Sequence, residues 1–479
     1  MPSSLFSSRL RRIVAAYAIN RLGTWFGYVA LSLAVYEHTH SAVAVAALLV
    51  SGQALPAFLV PALVARIEAS SRRAGLTALY VFEALATTAL AVLLWHFWLP
   101  AVLVLVLLDG TAALAASSLL RAEAARAARE ELEGTAVDAA EAARAGAGPP
   151  QAGERRHARP PSQLNTGAEV QLAERKANAA LNLAFSATFV AGPALAGVLV
   201  ATAGGPVALL IDAASFLICG AMLIDLHPHV EEVEGASVRA RLRAARQYIN
   251  EVTVLRLLLI AEGVALVFFA ADGSIEVPYA TVTLNAGDGG YGLLLAAWGA
   301  GVVLGGLAFA RVVRRPLGAM LSAGTLAVGL AYVGYAVAPS LLVACLAGVV
   351  GGAGNGVQWA SMLSAVQQLT PRRLHGRMMG AVESIGAFCP GIGLLLGGVL
   401  VAASTPRIAF LVIGLGATAM TAAFLALSSR IEAASIPGAD AGTSLDEQLP
   451  EPGPPHPVAE SRPRRRGVRR PRRRTGRRT

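Results

Sequence analysis

Residues 319–338 read AMLSAGTLAVGLAYVGYAVA, a run without a charged side chain. An α-helix needs about 20 mostly apolar residues to cross the hydrocarbon core of a bilayer, which is the length of this run. A second run of that length, AVLVLVLLDGTAALAASSLL at 101–120, carries a single acid, Asp109. Because a span must satisfy its backbone hydrogen bonds internally, both runs predict membrane-crossing α-helices.

The rest of the chain repeats this pattern. Of the 479 residues, 55% are hydrophobic and only 15% are charged, which excludes a soluble globular domain of ordinary composition. We therefore predict an all-α polytopic membrane protein with twelve transmembrane helices. The predicted spans are 13–35, 43–65, 75–95, 100–120, 178–202, 205–226, 256–282, 291–312, 318–338, 340–362, 378–402 and 406–428.

The links between these spans alternate between arginine-bearing and arginine-free. Arg314 and Arg315 follow span eight, and Arg377 precedes span eleven, whereas the links at Ala203 and Pro339 hold no arginine. Positively charged loops remain on the cytoplasmic side of a membrane. We expect a multi-pass protein of the plasma membrane with both termini in the cytoplasm.

Two long links on the arginine-bearing side divide the chain. The first begins with an Ala/Glu/Arg-rich stretch, which is typical of a cytoplasmic extension of the fourth helix, and it is expected to become a disordered insertion, at about 127–173 in all, because Gly, Pro and Gln at 146–161 stop a helix. The second carries arginines among apolar residues at 238–249, which predicts an interfacial amphipathic helix. The predicted organisation is an N-terminal six-helix half at 1–226, a cytoplasmic linker at 227–255, a C-terminal six-helix half at 256–428 and a disordered tail at 429–479.

An internal repeat favours two pseudo-symmetric halves. The segment 178–201 aligns with 379–402, and identical residues include Gly192, Gly197 and Val198 against Gly393, Gly398 and Val399. A chance match between two spans rich in Gly, Val and Leu is the alternative. Two related six-helix halves are typical of transporters whose halves rock about a site near the bilayer midplane.

Four short stretches carry a family resemblance. They are ANA at 177–179 leading to Gly192-Pro193, DAASF at 212–216, GYG at 290–292 and HGRMMG at 375–380. Over roughly residues 10–430 the chain resembles the major facilitator superfamily and, within it, the bacterial exporters related to the enterobactin and macrolide efflux proteins. One departure is that Ala65 replaces the acidic residue of the loop after span two, so loop gating would depend on Arg66, Arg72 and Arg73.

The resemblance implies a secondary transporter that works by alternating access. The expected activity is proton-coupled efflux of an amphipathic small molecule, such as a drug, an antibiotic or a siderophore-like metabolite. The alternatives are uptake or facilitated diffusion of a polar metabolite, and a non-transporting receptor or scaffold with the same fold. We predict no enzyme activity, cofactor or metal site; Lys176, in ERKAN, cannot serve a nucleotide-binding loop that ends in GK[ST].

Polar side chains inside the spans are candidates for transport, because a charge at the bilayer centre costs at least about 2.5 kcal/mol. The resemblance places spans one, four, seven and ten around a central cavity. The candidates for substrate binding or proton coupling are Asn20, Arg21, Trp25, Tyr28, Asp109, Glu262, Asp272, Glu276, Asn355, Gln358 and Trp359. The candidates for gating are Arg66, Arg72, Arg73, Gly192, Pro193, Arg377 and Glu383.

The leading hypothesis pairs Arg21 with Asp109 at the midplane and assigns protons or substrate cations to the carboxylates of span seven. A static ion pair is the alternative for Arg21 and Asp109. For Asp272 and Glu276 the alternative is exposure at the outer mouth, and for Glu262 it is a position near the inner interface.

Two further acids, Glu83 and Asp212, lie in spans three and six. The resemblance places these spans toward the periphery, so a structural role is favoured for both acids.

The chain ends in a run that holds eleven arginines between Arg462 and Arg478. A basic cytoplasmic tail attracts anionic lipid headgroups, at about 1 kcal/mol per basic residue near the surface. An inert tail is the alternative. The expected partners are therefore a small-molecule substrate, protons and lipids, with no nucleic acid, and the protein is expected to be monomeric.

Overall fold

The computed structural model describes residues 8–60, 75–146, 166–224, 248–312, 315–371 and 374–434. Within these ranges every regular element is a helix. The N-terminal helices are α1 (Ser8–Thr39), α2 (Ala42–Leu49), α3 (Gly75–Leu93), α4 (Leu99–Gly146), α5 (Thr166–Ala203) and α6 (Gly205–Met222). The C-terminal helices are α7 (Thr253–Ala270), α8 (Asp272–Pro278), α9 (Gly287–Arg311), α10 (Leu317–Val337), α11 (Leu341–Gln368), α12 (His375–Ala403) and α13 (Pro406–Ala434).

Two spans change their helical winding. A π-helical turn at Val50–Ala54 continues α2, and a second at Tyr279–Thr283 follows α8. The seventh span is therefore composite, because α7, α8 and this turn run through the bundle in sequence. π-Turns insert an extra residue into a helix and are frequent at functional sites.

Eleven described helical stretches are long and apolar enough to cross a membrane. Helix α1 is not among these eleven, and its polar residues near its middle include Asn20 and Arg21. It packs against both α5 and α6 inside the bundle. The predicted all-α polytopic membrane fold is confirmed, and the described residues hold eleven of the twelve predicted spans by length and composition.

The predicted limits of the disordered segments were wrong at three places. Helix α4 continues to Gly146 and α5 begins at Thr166, so both extend into the insertion predicted at 127–173. For α4 this is the extension that its run rich in Ala, Glu and Arg predicted, since these residues favour helix. Helix α13 likewise continues to Ala434, past the predicted start of the tail at 429. Residues 147–165, positions 238–247 of the linker helix predicted at 238–249 and the tail beyond 434 lie outside the described residues.

Glycines allow α5 and α9 to touch at one end of the bundle. A Cβ on Gly197 would lie 2.9 Å from the Cα of Gly292, and a Cβ on Gly292 would overlap the carbonyl oxygen of Pro193. Two turns further along α9, a Cβ on Gly299 would lie 2.6 Å from the carbonyl oxygen of Phe189. The N- and C-terminal helices therefore meet, backbone to backbone, near the loops at residue 204 and residues 284–286.

Helices α2 and α12 form a second contact between the N- and C-terminal helices. A Cβ on Gly398 would lie 2.9 Å from the carbonyl oxygen of Ala42, and one on Gly391 would lie 3.0 Å from the Cβ of Ala54. Toward the other end, the rings of Phe58 and Phe388 still touch, with centroids 6.3 Å apart. Phe388 is 55% exposed, which shows that the contact thins out at this point.

The same helix faces are open at the opposite end. Gly306 lies seven residues after Gly299 on α9, and Gly380 lies eleven residues before Gly391 on α12. Gly306 is therefore on the same helix face as Gly299, and Gly380 is on the same helix face as Gly391. Neither Gly306 nor Gly380 has an atom within 4 Å of its Cβ position. The bundle is thus closed at the end that holds residues 204 and 284–286, and cleft at the end from which α1 begins.

Candidate functional site

Arg21 lies in the apolar part of α1 and faces α5. Its guanidinium stands over the ring of Phe185, 5.2 Å from the centroid. Such a cation–π contact is worth about 0.5–2 kcal/mol, which is less than the cost of burying a charge without an acidic partner. Its buried Nε has no hydrogen-bond partner. Tyr17 and Arg121 are near enough to act on Arg21 electrostatically.

The predicted pair between Arg21 and Asp109 was wrong. In the described part of the chain no ion pair joins the two residues; Asp109 instead accepts a hydrogen bond from Thr87 Oγ1 at 3.3 Å. The physical reason is helix rotation, because Asp109 on α4 faces α3 whereas Arg21 on α1 faces α5. Arg21 therefore keeps a charge that another molecule could neutralise.

Three aromatic rings extend the Arg21 face toward the closed end. Trp25 lies edge-on to Phe189 at 5.3 Å and to Tyr28 at 5.5 Å, and Phe189 stacks on Phe185 at 5.4 Å. Gly192 makes room for the indole, since a Cβ at 192 would lie 2.7 Å from Cγ of Trp25. The predicted gating residue Gly192 thus holds Trp25 against α5, while Pro193 supplies the carbonyl that meets Gly292.

Asp272 and Glu276 lie one turn apart on α8, beside the Tyr28 end of this aromatic face. Glu276 is 3% exposed, so the alternative of exposure at the outer mouth was wrong for this residue. Asp272 accepts a hydrogen bond from Tyr332 at 3.0 Å. Within the described ranges neither carboxyl forms an ion pair, and the two acids interact electrostatically with each other.

Aromatic side chains surround this acid pair on the C-terminal side. Trp298 stacks on Tyr332 with centroids 5.5 Å apart and planes inclined by 6°. The hydroxyl of Tyr28, on α1, lies 3.9 Å from the Cβ position of Gly273. The N- and C-terminal helices are therefore separated here by little more than one side chain. The acid pair therefore lies at the inner end of the cleft, where the two groups of helices meet.

Glu262 and Gln358 form one unit, although the sequence offered them as separate candidates. Gln358 Nε2 donates to Glu262 Oε2 at 2.6 Å, between α11 and α7. Glu262 is 1% exposed and Gln358 is fully buried, so both lie inside the helix bundle. Glu262 Oε1 and Gln358 Oε1 have no partner, which leaves two acceptors that a proton could satisfy.

The remaining candidates lie apart from these groups or cannot be placed. Asn20 is half-buried on α1, where its carbonyl accepts a bond from Thr24 at 2.8 Å. On α11 Asn355 is half-buried and Trp359 is 38% exposed, while Glu383 on α12 is exposed. Arg66, Arg72 and Arg73 lie outside the described residues, and only the backbone of Arg377 is described.

Sequence reasoning missed several residues of the site. Phe185 and Phe189 are four apart and so share a helix face, a pattern visible in the sequence. Trp298 and Tyr332 carried no comparable signal, because an aromatic residue in an apolar span usually packs in the core.

Residues 159–449, more than half of the chain, match the family described as transmembrane secretion effector. No curated protein matches the chain by sequence.

Solved structures of similar fold are transporters. A nucleoside transporter, NupG, has a TM-score of 0.63 at 11% identity, and the match covers 88% of this chain and 99% of that one. A POT family transporter solved with a thioalcohol-conjugated peptide has 0.62 at 12%, over 88% and 96%. A bacterial homologue of the human lysosomal transporter Spinster, solved inward-facing and unoccupied, has 0.60 at 12%, over 89% and 96%.

Proposed function

This chain belongs to the transmembrane secretion effector family of the major facilitator superfamily, and from that premise we propose that it exports an amphipathic small molecule by alternating access coupled to inward proton flow. That it is a membrane transporter and not an enzyme follows from the family. The direction, the coupling ion and the substrate class are the proposal. The resemblance to enterobactin and macrolide exporters supports export.

The observation that carries the proposal is the acid pair formed by half-buried Asp272 and buried Glu276. Two ionised carboxylates one turn apart, with no cation beside them, repel each other in a low-dielectric site, so at least one holds a proton. The pair lies where Tyr28 closes the bundle against Gly273. Opening that end would admit water to the carboxyls and allow the proton to leave, which couples proton binding to the conformational change.

The aromatic face beside this pair suits an amphipathic substrate. Trp25, Phe185 and Phe189 offer ring faces and edges to an apolar body, while Arg21 offers a cation to a polar group. Aromatic pairs contribute about 0.5–1.5 kcal/mol beyond the area they bury. The substrate would thus be held by several modest contacts, as a transporter needs if it is to release its substrate again.

The open end supports loading from the cytoplasm. Helix α1 begins at that end, and the positive-inside rule assigns this end to the cytoplasmic side of the plasma membrane. On that assignment the described state faces inward and would take its substrate from inside the cell. We further propose that the protein acts as a monomer and that the arginine-rich tail rests on anionic lipids.

An accumulation assay tests the proposal. Efflux-deficient bacteria that express the protein would be loaded with a panel of dyes and antibiotics, with and without a protonophore. We expect lower accumulation of some compounds, and we expect the protonophore to abolish this difference. Asp272→Asn with Glu276→Gln should also abolish it, whereas Glu432→Gln, at an exposed acid near the end of α13, should retain it.

The same assay separates the alternatives. Higher accumulation in expressing cells would favour uptake, and fluxes indifferent to the protonophore would favour facilitated diffusion. Binding of a compound to the purified protein without any flux would favour a receptor or scaffold. Activity that survives in the Asp272/Glu276 double variant with unchanged pH dependence would remove the acid pair from the mechanism.

A further inference from the structure

Three carboxyl groups face one another inside the N-terminal helices, away from the site described above. Glu83 on α3, Asp109 on α4 and Asp212 on α6 come from three helices that pack side by side, and each acts electrostatically on at least one of the others. Glu83 is fully buried and Asp212 is 4% exposed. We refer to these three residues as the carboxyl triad.

Hydrogen bonds do not satisfy the triad. Both carboxyl oxygens of Glu83 are buried without a partner. Asp109 accepts one bond from Thr87 at 3.3 Å, and Asp212 accepts a long one from Ser215 at 3.5 Å. An ionised carboxylate in such surroundings would need several donors or a cation to offset its burial.

No cation is within reach in the described part of the chain. The other titratable groups that face Glu83 are the phenol of Tyr80 on its own helix and the thiol of Cys219 on α6. The thiol of Cys219 donates to the carbonyl of Ala16 at 3.2 Å and not to a carboxyl group of the triad. None of the three acids forms an ion pair with a described residue.

Three negative charges cannot be held together in this place, so the triad must bind protons. We propose that Glu83, Asp109 and Asp212 form a second proton-binding site, inside the N-terminal helices and separate from Asp272 and Glu276. Asp109 is the half-buried member. Glu83, with two unsatisfied oxygens, is the member that holds a proton most firmly.

The triad contacts the helix that carries Arg21. A Cβ on Gly23 would lie 2.6 Å from Oδ1 of Asp212, and a Cβ on Gly27 would lie 2.5 Å from Oδ2. The α1 backbone therefore rests directly on this carboxyl group. Ionising Asp212 would require donors or water between α6 and α1, which would displace the segment that begins two residues after Arg21. Proton release from the triad is thus tied to the position of α1.

The proposal deepens the proton coupling of the proposed function, but its test does not depend on transport. The full-length chain, purified in detergent, would be titrated while the infrared C=O band of protonated carboxyl groups is recorded. We expect a band that diminishes as the pH rises, and we expect Glu83→Gln and Asp212→Asn each to remove part of it. Glu432→Gln should leave the band unchanged.

A reagent test on the unmodified chain covers variants that fail to fold. A hydrophobic carbodiimide reacts with protonated carboxyl groups in apolar surroundings, and peptide mapping would identify the labelled residue. Labelling of Glu83 that decreases with rising pH would support the proposal. A carboxyl band that neither substitution reduces, or Glu83 labelling that is absent or the same at every pH, would overturn it. Failure of the accumulation assay alone would reject export and leave this site standing.

Discussion

Replacing Gly292 with valine should open the closed end of the bundle. A Cβ at this position would overlap the carbonyl oxygen of Pro193 and lie 2.8 Å from the Cα of Gly197. Both are backbone atoms, so the clash is relieved only by moving α5 relative to α9. Overpacking of this kind costs about 1–3 kcal/mol. Only the state that contains the contact bears this cost, so the population open at this end should rise about 5- to 150-fold.

Thiol labelling at position 32 measures that population. Ser32 is fully buried on α1, close to Tyr291 at the same end. A Ser32→Cys variant should react with a water-soluble maleimide only while this end is open, so its labelling rate follows the open fraction. Adding Gly292→Val should raise the rate by the factor given above, relative to the baseline of the native cysteines. Elution of the purified variant as a single species would show that it is folded.

Gly306→Val is the matched control on the same face of α9. No atom lies within 4 Å of the Cβ position of Gly306, so valine should not raise the labelling of position 32. Equal labelling rates with glycine and with valine at position 292 would refute the reasoning, because the Gly197–Gly292 contact would then not hold this end closed.

Two further predictions concern buried polar groups. Gln358→Leu removes the donor to Glu262 and should destabilise the protein by about 1–3 kcal/mol, read as a lower thermal unfolding midpoint in detergent. Replacing Glu262 with leucine in that background should recover most of the loss, and a midpoint unchanged by the single variant would contradict the prediction. Arg21→Lys keeps the charge but loses the planar group over Phe185, so export of a substrate found in the accumulation assay should fall as it does in Phe185→Leu. Full export in the lysine variant would show that the stacking contact is not used.

The spans could be predicted because their signal is local. A membrane requires a run of about 20 apolar residues whatever the rest of the fold does, and Leu317–Val337 shows that run almost without interruption. Even α1 was identifiable, since a single Arg21 does not erase the apolar stretch after it.

The partners of the buried polar residues could not be predicted in the same way. Successive residues are rotated by about 100° around a helix axis, so the sequence shows on which face of its helix Asp109 lies. It does not show which neighbouring helix packs against that face. The bond between Gln358 and Glu262 joins residues far apart in the chain, for which one sequence holds no local signal. The same limit explains why Glu83 and Asp212 were assigned a structural role: each looks isolated until α3, α4 and α6 are placed together.

The contact between α5 and α9 has a consequence for the state in which the bundle is open at the other end. It runs antiparallel, with Gly292 against Gly197 and Gly299 against Phe189, so moving two turns along α9 means moving about two turns back along α5. Continued once more, the same register brings Gly306 opposite Asn182. If the two helices keep this register and only tilt, their point of closest contact moves from one end of the membrane to the other. This movement requires a small residue at position 306, because the backbone of α5 can then approach α9 there without repacking a side chain.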